Sequence, residues 1–331
     1  MLPEPDPTPA VCVVVPTHNR AHLLPRLVAA LEAQVGAPPF EAIIVDDAST
    51  DDTWSVLGHL CRRTTLSLRR IRLAANRGPA TARNVAWQET SAPLIAFTDD
   101  DCAPEPGWLA ALAAAAASGA DVVQGRTIAD VDQLQHAGPF SRMLEVDSET
   151  GFYQTCNIAY RRDWLERLGG FAEQFRYPAG EDTDLAWRAR SAGARTSFSR
   201  DAVVRHDVST SNLVAAVKDS WRWQSVALAA RRHPELRGVL VSRHVWRRQH
   251  ALALWALAGI GLVAVAPRRP VAWLGAAAAA APYVKLRTKT APLPGVGPRR
   301  RWLLLPGAFV LDGAELTACL VGSVKHRTLI I

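Results

Sequence analysis

Short apolar runs that each end in polar or acidic residues set the pattern of the first hundred positions. VCVVV (11–15), FEAIIVD (40–46) and PLIAFT (93–98) are continuous rather than alternating. Such runs read as strands buried on both faces. Between them, apolar residues recur at helical spacing over 21–34 and 51–63, the second with Thr50 or Asp51 as a candidate N-cap. A further strand over 68–73 and helices over 81–90 and 108–118 complete a β-α alternation. That alternation predicts an α/β, Rossmann-like, mostly parallel sheet with helices on both faces. Sheets of this kind bind ligands beyond the carboxyl ends of their strands. Here those ends read PTHNR, DDAST and TDDDC, all polar and all at one edge.

After a stretch without clear periodicity (126–150), residues 154–171 read as a strand entering a helix closed by Gly169-Gly170. Residues 180–193 read as a helix with acids in its first turn, and 203–208 as a strand ending at His206. Beyond about residue 213 the chain becomes basic and tryptophan-containing. Residues 251–266 hold no charge; after PRRP (267–270) comes an Ala-rich apolar stretch, 271–284. At 1.5 Å per residue the first of these is about 24 Å long, short of a ~30 Å hydrocarbon core. The pair reads as a transmembrane hairpin, a re-entrant pair or interfacial helices, and a helical subdomain in water is the plainer alternative. The last segment, carrying Asp312 and Glu315, reads as amphipathic rather than spanning.

Charge sharpens the division. Residues 1–220 carry 21 Lys and Arg against 28 Asp and Glu, whereas residues 221–331 carry 17 against 3. An acidic half suits a metal or a hydroxylic substrate, and a basic half suits an anionic lipid surface. Arg and Lys flank both apolar runs, which places those flanks on the cytoplasmic side. Basic patches can bind nucleic acid, but no nucleic-acid module is recognisable. The domains expected are a lead-in over 1–10, a catalytic domain over 11–215 (halves 11–101 and 102–215), and a membrane-associated helical region over 216–331. The five cysteines are scattered without a CxxC pair, which argues against a disulfide framework or a zinc site and for a reducing compartment. The start, MLPEPDPTPA, is proline-rich and acidic, unlike a signal peptide.

The candidate chemistry centres on Asp99, Asp100 and Asp101. On an extended strand Asp99 and Asp101 would share a side, a half-site for Mg²⁺ or Mn²⁺. Taken alone, the triplet reads equally well as a solvated acidic turn. His206, at a strand end, is taken alone a structural histidine.

VVVPTHNR, IIVDDAST, NRGPATARN, FTDDDC, GEDTDLAWR and VVRHD occur in this order. Together they resemble the family 2 glycosyltransferases, inverting enzymes of the type A glycosyltransferase fold, over roughly residues 10–215. The resemblance implies a nucleotide-diphospho-sugar donor. Pro16, Thr17, Asn19 and Asp47 would form the base pocket, with Asp46 a structural carboxylate, and Arg83 would lie near base or diphosphate. Asp99 and Asp100 would face the nucleotide sugar; Asp99, Asp101 and His206 would hold a divalent metal, Mg²⁺ or Mn²⁺. Asp182 matches the general base, beside Glu181. Asn157, Arg161 and Glu181 fall on the acceptor side, though Arg161 could equally pair with Asp163. The basic, apolar C-terminal part favours a lipid-linked or membrane-proximal hydroxyl acceptor and a catalytic domain in the cytoplasm. A sugar-phosphate nucleotidyltransferase is the alternative enzyme, but VPTHNRAHLLP lacks the glycine-rich triphosphate loop; a membrane-anchored scaffold without turnover is the non-enzymatic alternative.

Overall fold

The computed structural model describes residues 8–175, 177–208, 212–289 and 298–331, so most of the expected lead-in lies outside the described residues. The chain divides into two compact units. The described residues up to Asp130, with Met143–Asp207, form the first; Val131–Arg142, with Val208–Ile331, form the second.

The first unit runs β1 (Val11–Thr17), α1 (Leu24–Glu32), β2 (Phe40–Asp46), α2 (Thr53–Arg63), β3 (Ser67–Arg72), α3 (Pro79–Gln88), β4 (Leu94–Thr98), β5 (Cys102–Pro104), α4 (Trp108–Ala117), β6 (Val122–Ala129), β7 (Asn157–Arg161), α5 (Arg162–Leu168), α6 (Glu181–Ser191) and β8 (Thr196–His206). The eight strands form one sheet in the order β3-β2-β1-β4-β7-β6-β8-β5. The first four are parallel to one another. β7 then pairs antiparallel with both β4 and β6, while β8 runs parallel to β6 and antiparallel to β5. The sheet is therefore mixed and mostly parallel, as expected. It also runs unbroken across residue 101, so the two expected halves share it.

Alternation along β1 explains the continuous apolar runs. Val11, Val13 and Val15 pack with Leu24, Leu27, Trp108 and Leu109 from α1 and α4. Cys12 and Val14 pack on the other face with Ala82, Trp87, Leu165 and Leu185 from α3, α5 and α6. Both faces are thus covered by helices. Burying each Val, Leu or Ile side chain contributes about 1.5–3 kcal/mol, so the core fixes the strand ends that carry the polar residues.

The second unit is helical: α7 (Leu213–Ser220), α8 (Ser225–Arg232), α9 (Arg248–Val265), α10 (Pro270–Lys289) and α11 (Pro298–His326). By length and composition, α9 and residues 299–326 of α11 could cross a bilayer. The two acids expected on the polar side of the last segment have partners within this unit. Asp312 accepts from Tyr283 Oη (2.6 Å) and Arg287 Nε (2.9 Å), and Glu315 accepts from Arg247 Nη1 (3.1 Å) and pairs with His250 Nε2 (3.0 Å). Both carboxylates are buried among α9, α10 and the residues before them rather than forming a polar face. α10, with Lys285, Arg287 and Lys289 in its second half, is less apolar than the Ala-rich stretch suggested.

Candidate active site

The carboxyl ends of β1, β2 and β4 carry the expected loops, cross-linked by their own polar groups. Asn19 sits in the left-handed backbone region (φ 54°). Its Oδ1 accepts from the Thr50 N–H (2.8 Å) and its own N–H donates to Ser49 Oγ (2.8 Å). His18 Nδ1 meets the Asp47 carbonyl at 2.7 Å. Pro16, partly buried in β1, leads into this loop. Asp46 is wholly buried and accepts from the Ser49 N–H (2.8 Å), a structural carboxylate. Asp47 spends its two oxygens on the backbone N–H groups of Arg77 and Gly78, 2.8 Å each. Gly78 has φ 89°, a conformation glycine adopts without steric cost, and it opens α3.

α3 delivers Arg83 into the interior, where it is 3% exposed. Its Nη2 donates to Asp99 Oδ1 (2.7 Å) and its Nη1 to Glu181 Oε1 (3.0 Å). Arg83 Nε and Glu181 Oε2 have no hydrogen-bond partner in the described structure. The guanidinium thus ties the acid triplet after β4 to the first turn of α6. Each of its two terminal nitrogens donates one N–H to a carboxylate.

The triplet does not continue the strand: β4 ends at Thr98, and the Cys102 N–H bonds back to the Asp99 carbonyl (3.2 Å). In this turn each carboxylate takes a different direction, so the strand-alternation expectation for Asp99 and Asp101 does not hold. Asp99 faces Arg83. Asp100 turns inward and accepts from Thr17 Oγ1 (2.6 Å); burial, then the charge of Asp101, pushes its carboxyl well above the ordinary range. Asp101 faces His206 Nε2 at 3.5 Å. Asp101, Cys102 and His206 present donor atoms that all lie within 4.8 Å of one another, and Asp99 is not part of that group.

The histidine ring is oriented by its neighbour. His206 Nδ1 meets the Asp207 carbonyl at 2.8 Å. A carbonyl only accepts, so Nδ1 carries a proton and Nε2 is the ring nitrogen turned toward Asp101. In its neutral form the ring offers the Nε2 lone pair beside the Asp101 carboxylate, and that donor set fits a divalent ion. Arg26 of α1, which pairs with Asp207 and donates to Asp130 (2.5 Å), pins this corner.

At the start of α6, Asp182 accepts from the Thr183 N–H (2.7 Å) and is half-buried beside fully enclosed Glu181. Burial raises both carboxyls, with Arg83 pulling each the other way; Asp182 is pushed up to about 6. A base with that pKa is ionised at neutral pH and still able to take a proton.

Two acceptor-side expectations are corrected. Asn157 is wholly buried: its amide donates to the carbonyls of Arg126 (2.7 Å) and Ala202 (2.8 Å) and accepts from Trp108 Nε1 (2.8 Å). It welds strands together, with Gly125 close enough that a Cβ there would meet Asn157 Oδ1 at 2.2 Å. Arg161 is exposed and pairs in register with Leu94, the first residue of β4, so it lies at the opposite edge of the sheet. Cys102 and Arg26 escaped the sequence reading. The first follows the triplet in a strand of only three residues, and the second is one arginine in an amphipathic helix.

Residues 12–169 match the family model described as Glycosyl transferase family 2. The pre-mycofactocin glycosyltransferase of Mycobacterium tuberculosis is 29% identical over 266 residues, covering 76% of this chain and 53% of that protein. The chain thus spans about half the length of this relative. Among solved structures, the mannosyltransferase PcManGT from Pyrobaculum calidifontis, in complex with GDP-Man and Mn²⁺, matches with TM-score 0.56 at 22% identity, covering 97% of this chain and 88% of that one. S. aureus TarS in complex with UDP matches with TM-score 0.51 at 18% identity, covering 96% and 92%. These likenesses agree with the sheet described above, which is that of the type A glycosyltransferase fold. The first unit thus has the type A glycosyltransferase fold, and residues 12–169, just under half of the chain, are similar to glycosyl transferase family 2.

Proposed function

We propose that this protein is an inverting glycosyltransferase that moves a sugar from a nucleotide-diphospho-sugar to a hydroxyl group on a lipid-linked or membrane-proximal acceptor. One observation carries the reading: Asp101 and His206, from distant parts of the chain, face each other at 3.5 Å on the ligand-binding edge of the sheet. A divalent ion held there would neutralise the charge that grows on the leaving diphosphate. The Asn19 and Asp47 loops would receive the base and ribose. Asp182 would take the acceptor's proton as its oxygen attacks C1, and with no second carboxylate acting as nucleophile the configuration at C1 inverts. Glu181, locked on Arg83, is a positioning residue for Asp182 in this scheme. The Mn²⁺ and GDP-Man of PcManGT and the UDP of TarS support a nucleotide donor and a divalent ion. The apolar helices α9 and α11, in a part of the chain rich in Arg and Lys, support an acceptor carried at an anionic membrane surface.

The test is a panel of UDP-, GDP- and dTDP-sugars with a divalent ion and a membrane-lipid extract as acceptor source. Release of nucleoside diphosphate from one donor, dependent on both additions, is expected. Release of pyrophosphate from a nucleoside triphosphate and a sugar phosphate would instead make the protein a nucleotidyltransferase.

A further inference from the structure

We infer that Cys102 is a third protein ligand of the metal centre, making it a mixed oxygen, nitrogen and sulfur site that binds Co²⁺, Zn²⁺ or Cd²⁺ in preference to Mg²⁺. The inference rests on the metal site proposed above and specifies its chemistry. Antiparallel pairing places Cys102 of β5 directly opposite His206 of β8. Side chains so opposed share a face of the sheet, with Cβ atoms about 4.5–5.5 Å apart. Asp101 closes the triangle: its Oδ1 lies 3.5 Å from His206 Nε2 and 3.8 Å from Cys102 Sγ. Two ligands on one zinc-sized ion sit roughly 3–4 Å apart, so these donors need little movement to converge. The ring is already turned for the task by its Nδ1 contact to the carbonyl of Asp207, a residue whose carboxylate pairs with Arg26.

The sulfur decides selectivity. Mg²⁺ takes oxygen ligands almost exclusively, whereas thiolate favours softer ions. On binding, the S–H bond breaks, its proton leaves to solvent, a sulfur–metal bond forms and one water departs from the ion; affinity for such ions therefore rises with pH. A centre of this composition is also open to inhibition by Zn²⁺ or Cd²⁺ at levels that leave an all-oxygen site unaffected.

The experiment is titration of the metal-free protein with Cd²⁺ and Co²⁺, reading the ultraviolet thiolate-to-metal band. One thiolate per ion is expected, Cys156→Ser should retain the band, and Cys102→Ser should abolish it and weaken Cd²⁺ binding by more than about tenfold. X-ray absorption of the Zn²⁺-loaded wild type, which needs no variant, should show one sulfur at about 2.3 Å. A band that survives Cys102→Ser, or a zinc shell without sulfur, overturns the inference. If the wild type binds Mn²⁺ together with a nucleoside diphosphate yet gives no thiolate signal, only the role of Cys102 falls. If no ion binds at all, the metal site falls with it.

Discussion

Replacing Arg83 with methionine is expected to cost roughly 3–5 kcal/mol of stability, a fall of about 6–20 °C in the unfolding midpoint. Arg83 is almost fully enclosed and supplies one hydrogen bond each to Asp99 and Glu181. Burying three charges together is costly in itself, but removing the single cation is worse, because Glu181 remains 2% exposed with nothing opposite it. Glu181, whose carboxyl burial already pushes up to about 8, holds its proton below that pH, so the loss should be largest above pH 8 and shrink below it. The double variant Arg83→Met, Glu181→Gln should regain much of it, since neither charge is then left alone. Urea unfolding of the three proteins checks this; an Arg83→Met protein within about 1 kcal/mol of wild type would mean the clamp is only an exposed surface pair.

Asp182→Asn is expected to lower turnover by about 10²–10⁴-fold while leaving donor binding close to wild type, because the amide keeps the size of the side chain and loses only its basicity. With the Asp182 carboxyl pushed up to about 6, wild-type turnover should rise as pH increases through 6 and then level off. Stability should run the other way. Asp100, Glu181 and Asp182 all have folded-state pKa values above their unfolded ones. The folded protein therefore binds these protons more tightly, and their contribution is fully present near pH 4 and lost as pH rises toward 8. Opposite slopes of activity and stability between pH 5 and 7, measured on one preparation, distinguish this site from a carboxylate stabilised by ion pairing alone. Equal turnover of Asp182→Asn and wild type on the true donor and acceptor would remove Asp182 as the base.

How much of this was legible in the sequence depended on burial. β1, β2 and β4 are covered on both faces, so their apolar residues run without interruption and their ends could be read directly. β5 is three residues long, and β6 breaks its register between Gly125 and Arg126. Neither leaves a periodic trace, and both were missed. The acid triplet was visible, but its three destinations were not, since they depend on β4 ending at Thr98 and on which partner each side chain meets across the fold. Asn157 shows the same limit from the other side: the resemblance placed its amide on the acceptor side, and three internal hydrogen bonds account for it instead. In α11 the carboxylates of Asp312 and Glu315 suggested a polar face, and partners far away in sequence neutralise them instead.

Calorimetric titration of UDP and GDP into the protein, with Mn²⁺ and again with EDTA, in wild type and His206→Ala, addresses the central arrangement most directly. One of the two nucleotides should bind only when the ion is present, and His206→Ala should weaken that binding by at least about tenfold. Equal affinity with EDTA, or no change in His206→Ala, would show that Asp101 and His206 do not hold the ion on which nucleotide binding depends.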